Sequence, residues 1–390
     1  MRSTRREGVS PSPSRIPWRR KAALLSAAAV GAALGVTSCL ERPLCTDDCR
    51  PRTTNVFVDT VDQTSVDKID LLFMIDNSAS MADKQLVLSQ AVPNLVQRLV
   101  SPNCVTPGGD QGQTPTSPSE NCPSGTEREF EPIKDIHIGV ITSSLGGHGG
   151  NQCDPKADEE NDDRGHLLGT RPRFADVAAS APGGFLNWNP KTNPNQNAGD
   201  VTKTFQDMTK RAGENGCGFE AQLESIYRFL VDPNPPGSVT RGQCADGSAC
   251  AVVSGLDTEL LTERAAFLRP DSLVAVILLT DENDCSVQDG GQYLLPTLAG
   301  PGELTRGSSV CATNPNDRCC YSCGTRKIPD NCPPDPTCNS KAAVPVKDDA
   351  PDLRCYQQKR RFGFDFLYPV QRYVNALTAR TLCTSRADLD

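Results

Sequence analysis

Leu71-Leu72-Phe73-Met74-Ile75-Asp76-Asn77-Ser78-Ala79-Ser80 decides the fold. Five consecutive apolar residues stopping at an acid read as a strand covered on both faces, because a strand with one wet face would alternate. A helix is predicted directly after it, over Met81 to Val100. There Leu88, Val92, Leu95, Val96 and Leu99 fall on one stripe, and Pro93 is expected to kink it. Two more strands of the same kind follow, Ile136 to Thr142 and Leu273 to Leu279, the latter leading into Thr280-Asp281. Helices are expected over Phe219 to Leu230, over Thr258 to Leu268 with Asp257 as N-cap, and over about Phe364 to Ala379. Buried strands alternating with amphipathic helices predict an α/β fold: a mostly parallel sheet flanked by helices.

Four stretches are too long to be plain connections: 101–132, 147–200, 231–255 and 286–360. They carry Cys and Pro and read as insertions, several of them held by disulfides. The chain has 18 Cys in 390 residues, a number expected of an exported protein and not of a cytosolic one.

Charge is unevenly placed. The whole chain is formally -8, yet Arg2, Arg5, Arg6, Arg15, Arg19, Arg20 and Lys21 all lie in the first stretch, with Glu7 the one acid there. An acidic body with no basic stripe excludes nucleic acid as the expected partner, since that affinity comes from neutralising phosphates. The basic start is followed by a short apolar run, Ala22 to Ser38, and then Cys39. Residues 1–38 therefore read as a signal peptide. Val36-Thr37-Ser38-Cys39 resembles a lipobox, which implies lipidation at Cys39 and a membrane anchor made of acyl chains. Residues 39–65 are read as a tether, with a small Cys45–Cys49 loop, and 66–390 as the folded domain.

Asp76-Asn77-Ser78-Ala79-Ser80 is D-x-S-x-S between a buried strand and a helix. It resembles the metal-ion-dependent adhesion site of von Willebrand factor A-type (VWA) and integrin I domains. The resemblance covers roughly residues 66–285. Thr280-Asp281-Glu282-Asn283-Asp284-Cys285 and Phe366-Leu367-Tyr368-Pro369 also resemble Cys-rich VWA lipoproteins of myxobacteria-like bacteria. It implies a VWA-like, Rossmann-type domain in which Asp76, Ser78, Ser80 and Asp281 surround a divalent cation, with an acidic side chain of a protein partner completing the shell. Carboxylate and hydroxyl oxygens are hard ligands suited to Mg²⁺, Mn²⁺ or Ca²⁺.

Two departures stand out. The family's middle Thr should lie just before the Phe219 helix, where this chain has Gly216-Cys217-Gly218-Phe219-Glu220. Glu220 is the nearest substitute donor, and an acid in the first turn of a helix is the plainer reading. The family's two further parallel strands after Asp281 are not evident, so the expected domain is short at its C-terminal side.

Other candidates are weaker. Cys319, Cys320, Cys323, Cys332 and Cys338 read as disulfides before zinc ligands. The run Asp158-Glu159-Glu160-Asn161-Asp162-Asp163 reads as a solvated loop, His137 as strand packing, and His148 and His166 as loop. The expected function is a non-enzymatic, cation-dependent binding module for a protein ligand at the cell envelope. A disulfide-stapled structural protein with a vestigial metal site is the alternative. A metal-dependent hydrolase, with Glu220, Glu282 or Asp284 as base, comes third.

Overall fold

The computed structural model describes residues 67–379 except 113–114, 116–118, 151, 178–180, 244–246, 248, 290–303, 326 and 340–341. The leader, Cys39 and the tether lie outside the described residues, as do Cys45 and Cys49.

The first strand, β1 (Lys68–Ile75), is buried along nearly its whole length. It forms the middle of a parallel set with β4 (Asp135–Thr142) and β8 (Leu273–Leu279), in registers that pair Ile75 with both Thr142 and Leu279. A short strand, β5 (Leu186–Trp188), pairs antiparallel with β4, giving the sheet order β5-β4-β1-β8. Alternate β1 side chains go to opposite faces. Leu71, Phe73 and Ile75 pack with Val96 and Val100 of α1 (Ala82–Val100) and with Val201, Phe205 and Met208 of α2 (Ala198–Lys210). Leu72 and Met74 pack with Ile226 and Phe229 of α3 (Gln222–Leu230) and with Leu260 and Phe267 of α4 (Thr258–Phe267). The product is a three-layer helix–sheet–helix arrangement, and each large side chain fully buried in it contributes roughly 1.5–3 kcal/mol.

Gly139 is the one small residue in β4 that the packing demands. A Cβ there would stand 2.8 Å from Leu167 Cδ2 and 2.9 Å from Phe267 Cε2. Asp70 is an acid inside the central strand, and it is fully buried. Arg269 Nε donates to it at 2.8 Å, as does the Arg269 backbone N–H, and Arg269 also bonds Asp135. This network fixes the turn into β8 at the end of the sheet away from Asp76.

Several element boundaries differ from the sequence expectation. Helix α3 starts at Gln222 rather than Phe219, because its first free N–H groups are capped from outside. Asp284 Oδ1 accepts from Leu223 N at 2.9 Å, and Ser286 Oγ from Glu224 N at 2.9 Å. The last helix, α7 (Val370–Thr378), starts after Pro369. Residues 366–368 instead lie extended along 286–288, with Gln288 N donating to Phe366 O and Tyr368 N to Ser286 O. Asp257 is the N-cap expected for α4, its carboxylate accepting from Leu260 N. α1 runs unbroken through Pro93.

The described parts of the insertions are structured. Residues 104–128 form a small unit of β2 (Cys104–Val105) and β3 (Glu127–Arg128), closed by Cys104–Cys122 beyond the C-terminal end of α1. The stretch 231–255 contains a hairpin, β6 (Pro236–Gln243) with β7 (Ala249–Leu256). Because this stretch follows a helix running back, it should lie at the end of the sheet opposite Asp76. The hairpin overturns that expectation by folding up again. The backbone of Thr240 and Arg241 lies 3.0 Å from where a Gly149 Cβ would be, and Ala251 packs on the cluster of Cys217, Phe219 and Cys285. The 286–360 stretch joins the same cluster through Val287, Leu304 and Cys355, and its short helices are α5 (Ser309–Thr313) and α6 (Gln358–Phe362).

Each of the thirteen cysteines among the described residues is disulfide-bonded. Six bridges are defined: Cys104–Cys122, Cys153–Cys217, Cys285–Cys355, Cys311–Cys320, Cys319–Cys332 and Cys323–Cys338. Among the described residues no strand pairs with the outer side of β8, where Leu273, Val274 and Leu278 are 46, 42 and 45% exposed. No described helix is long and apolar enough to cross a membrane.

Candidate metal centre at the carboxyl ends of the parallel strands

Strand register builds the site. Ile75 is level with Thr142 and with Leu279, so the next residue of each strand, Asp76, Ser143 and Thr280, emerges at one height. Asp76 N donates to Leu279 O at 2.9 Å and Ser143 N to Ile75 O at 3.2 Å, which carries the sheet one step further. The Asp76 carboxylate is fully buried. Its Oδ1 accepts from Ser78 N at 2.9 Å, with Ser143 Oγ at 3.5 Å, and its Oδ2 accepts from the Thr280 hydroxyl at 2.7 Å.

Above Asp76 runs a chain of oxygens. Ser78 Oγ and Ser80 Oγ are 3.0 Å apart, and Ser80 Oγ donates to Asp281 Oδ1 at 2.9 Å. The turn carrying the two serines is a single 3-10 turn, Ala79–Met81, leading into α1. Gln85 of α1 donates back to the Asp76 carbonyl at 3.2 Å and so ties the helix start to the loop. Four of the expected ligands, Asp76, Ser78, Ser80 and Asp281, are thereby drawn together, Ser80 and Asp281 across a sequence separation of 201.

Glu220 belongs to a neighbouring segment that is pinned from several sides. Gly216 N donates to Asn77 O at 2.8 Å, and a Gly216 Cβ would stand 2.4 Å from the Asn77 side chain, so no larger residue fits. Cys217 N donates to Ser144 Oγ at 2.8 Å, and the Cys153–Cys217 bridge fixes the same point. Glu220 is buried, and its carbonyl accepts from Cys285 N at 2.7 Å. The link from this segment to Asp76 runs through Gln222, whose amide lies 2.9 Å from Thr280 Oγ1. In the alternative orientation of that amide its nitrogen donates to Glu220 O (2.8 Å) and Asp284 Oδ1 (3.1 Å), and the Thr280 hydroxyl then donates to Gln222 in place of Asp76.

Ser143, Thr280 and Gln222 were missed as site residues. The first two were findable, since a small hydroxyl residue following a parallel strand level with Asp76 must stand beside it. Gln222 carries no such signal.

The acidic run is not a solvated loop. Asp163 is fully buried, taking both Arg173 guanidinium nitrogens at 2.6 and 2.7 Å and the Thr142 hydroxyl at 2.7 Å. The Glu160 carboxylate accepts from Glu214 N and Asn215 N, and its carbonyl accepts from Asn77 Nδ2. His166 is not loop surface either. It is fully buried, with Nε2 2.9 Å from Asp257 and Nδ1 2.8 Å from Glu263. Sealed from solvent, that constellation is structural despite its resemblance to a catalytic one.

His148 lies in the Gly146–Gly150 loop, with its ring 3.0 Å from Asp289. It faces a cavity of about 520 Å³ bounded also by Asp162, Arg164, Arg228 and Thr240.

No protein-family model, curated protein or solved structure matches the chain. Function therefore rests on the chemistry of the donors. Two carboxylates and two hydroxyls within one hydrogen-bonded chain form an all-oxygen set, which fits a hard divalent cation and not zinc. Among the described residues no cluster of three or more His, Cys, Asp or Glu side chains is placed to hold a metal. Of the bases considered for catalysis, Asp284 is committed to capping α3 and bonding Ser286 Oγ at 2.8 Å, while Glu282 is exposed.

Proposed function

We propose that the chain is a VWA-type binding protein, anchored in the cell envelope through Cys39, that grips a partner protein through a divalent cation. Asp76, Ser78, Ser80 and Asp281 are the proposed ligands, with Glu220 as a further oxygen donor. An acidic side chain of the partner completes the shell. The observation that carries this reading is the Ser78–Ser80–Asp281 oxygen chain, joined through Ser78 N to the buried Asp76 carboxylate, at the carboxyl ends of parallel strands, where open α/β sheets place their ligands. Few charged ligands leave the cation electrophilic enough to take a carboxylate from outside. The role proposed is binding, not catalysis.

Calorimetric titration with Mg²⁺ and Mn²⁺ tests it. A saturable heat is expected in the native chain and none in Asp281→Ala. No heat in the native chain would sink the proposal. A structural protein with a vestigial site is the second reading. It is favoured by the absence of any hydroxyl in Gly216-Cys217-Gly218.

A further inference from the structure

Lys84 is the residue at this site that the ligand pattern leaves unexplained. It stands in the first turn of α1, where the helix dipole disfavours a positive charge. Its ammonium is nevertheless held there, 3.0 Å from Asp281 Oδ2 and donating to Ser80 O at 2.9 Å. The two oxygens of Asp281 are thus divided between a hydroxyl, Ser80 Oγ, and a cation, Lys84 Nζ. A second acceptor lies beside it: Asp83 Oδ1 is 3.0 Å from the same ammonium, and Asp83 points into solvent.

From this geometry we infer that Lys84 is a tethered cation competing with the divalent ion for Asp281, and so sets the ion concentration at which the site fills. The inference rests on the cation-binding reading above. When the ion arrives, Asp281 turns its charge to the metal, and Lys84 gives up Asp281 while keeping the pairing it already has with Asp83. The site therefore carries one negative charge fewer before the ion binds than its two carboxylates suggest. A single positive charge a few ångströms from a divalent ion in a largely solvated setting lowers affinity by about tenfold. That penalty shrinks as salt screens the pair. Lys84 is itself half-exposed, and Lys84→Gln keeps a donor that can reach Ser80 O, so the replacement tests charge.

The test is Mn²⁺ binding by the full chain, using calorimetry with Mn²⁺ alone as the probe, at low and at high salt. Lys84→Gln is expected to bind about tenfold more tightly than the native chain at low salt, with the gap narrowing at high salt. Lys84→Arg, which keeps the charge, is expected to stay at the native affinity. Equal affinity in the native chain and Lys84→Gln would overturn the role of Lys84 and leave the metal site standing. Tightening in Lys84→Arg as large as in Lys84→Gln would assign the effect to side-chain shape and overturn the charge argument. No Mn²⁺ heat in any of the three would remove the cation site itself, and the inference with it.

Discussion

Asp76 and Asp281 are both proposed ligands, but they are not equivalent residues. Asp281 is partly exposed and its bonds are to Ser80 and Lys84. Partial burial opposes its ionisation, yet the hydrogen bonds from Lys84 and Ser80 hold its carboxyl below the usual range. Asp281→Ala should remove cation binding with the melting temperature unchanged. Asp76 is buried and satisfies Ser78 N and Thr280 Oγ1. Its replacement by Ala leaves those donors unpaired, at about 1–3 kcal/mol, so Asp76→Asn is the cleaner variant.

A second prediction at this scale concerns pH. Burial opposes charge on His166, but hydrogen bonds to Asp257 and Glu263 outweigh it and raise its pKa. Its stabilising effect is therefore complete below its ordinary value of 6.5 and is lost as pH rises through the higher folded value. Burial likewise opposes ionisation of Asp257, and His166 overcomes it to lower that pKa from 3.8. The effect of Asp257 is complete above 3.8 and is lost as pH falls. Denaturant unfolding across pH 4 to 9 should show stability highest between those two values and declining on the alkaline side. In His166→Gln the alkaline decline should flatten, with a loss of about 3–5 kcal/mol at pH 6 because buried Glu263 loses the cation bonded to it, while Asp257 keeps Arg228 at 2.8 Å. An unchanged alkaline slope would show that His166 is not the titrating group.

Among the elements, those whose burial is two-sided could be read directly. β1, β4 and β8 are continuous apolar runs, and α1 and α4 have either a clear stripe or a clear cap, so their positions follow from residues such as Phe73 and Asp257. The elements that escaped are those whose stability comes from elsewhere in the chain. The β6–β7 hairpin has no strong alternation, and it is set by the close approach of Gly149 and by Arg164 donating to Gly237 O at 2.7 Å. α3 begins where Asp284 caps it, a contact spanning 61 residues of sequence.

Likewise the D-x-S-x-S half of the site was visible locally, whereas Gln222 and Lys84 acquire their roles only through Thr280 and Asp281. Gly139→Val should cost about 1–3 kcal/mol, because its side chain would meet Leu167 and Phe267 at once. Replacing 104–128 by a short linker should leave cation affinity unaltered, as that unit sits beyond the far end of α1, roughly 28 Å from its start. A calorimetric constant that changes with the trimming would contradict this placement.

Across the whole molecule, covalent bridges bind the insertions to the sheet. Cys153–Cys217 closes a loop of sequence separation 64, and chain-entropy arguments give such a bridge about 4 kcal/mol. It also fixes the segment that holds Asn77. Cys153→Ser with Cys217→Ser should therefore lower stability by several kcal/mol, on the order of that estimate, and weaken Mn²⁺ binding together with it. Alkylation of the unreduced protein should leave all thirteen described cysteines unmodified, and mass spectrometry would count any that are not.

The order of half-cystines in the 311–338 region bears on how the protein is made. Cys319 and Cys320 are adjacent in sequence, yet Cys320 pairs backward with Cys311 and Cys319 forward with Cys332. A chain oxidised as it emerges presents Cys311 with Cys319 one residue before its proper mate. The first bridge closed by proximity is then the wrong one, and it leaves Cys320 next to a disulfide it can attack. Correct maturation thus depends on thiol exchange and not on oxidation alone. Recombinant yields should respond to a disulfide isomerase more than to a stronger oxidant.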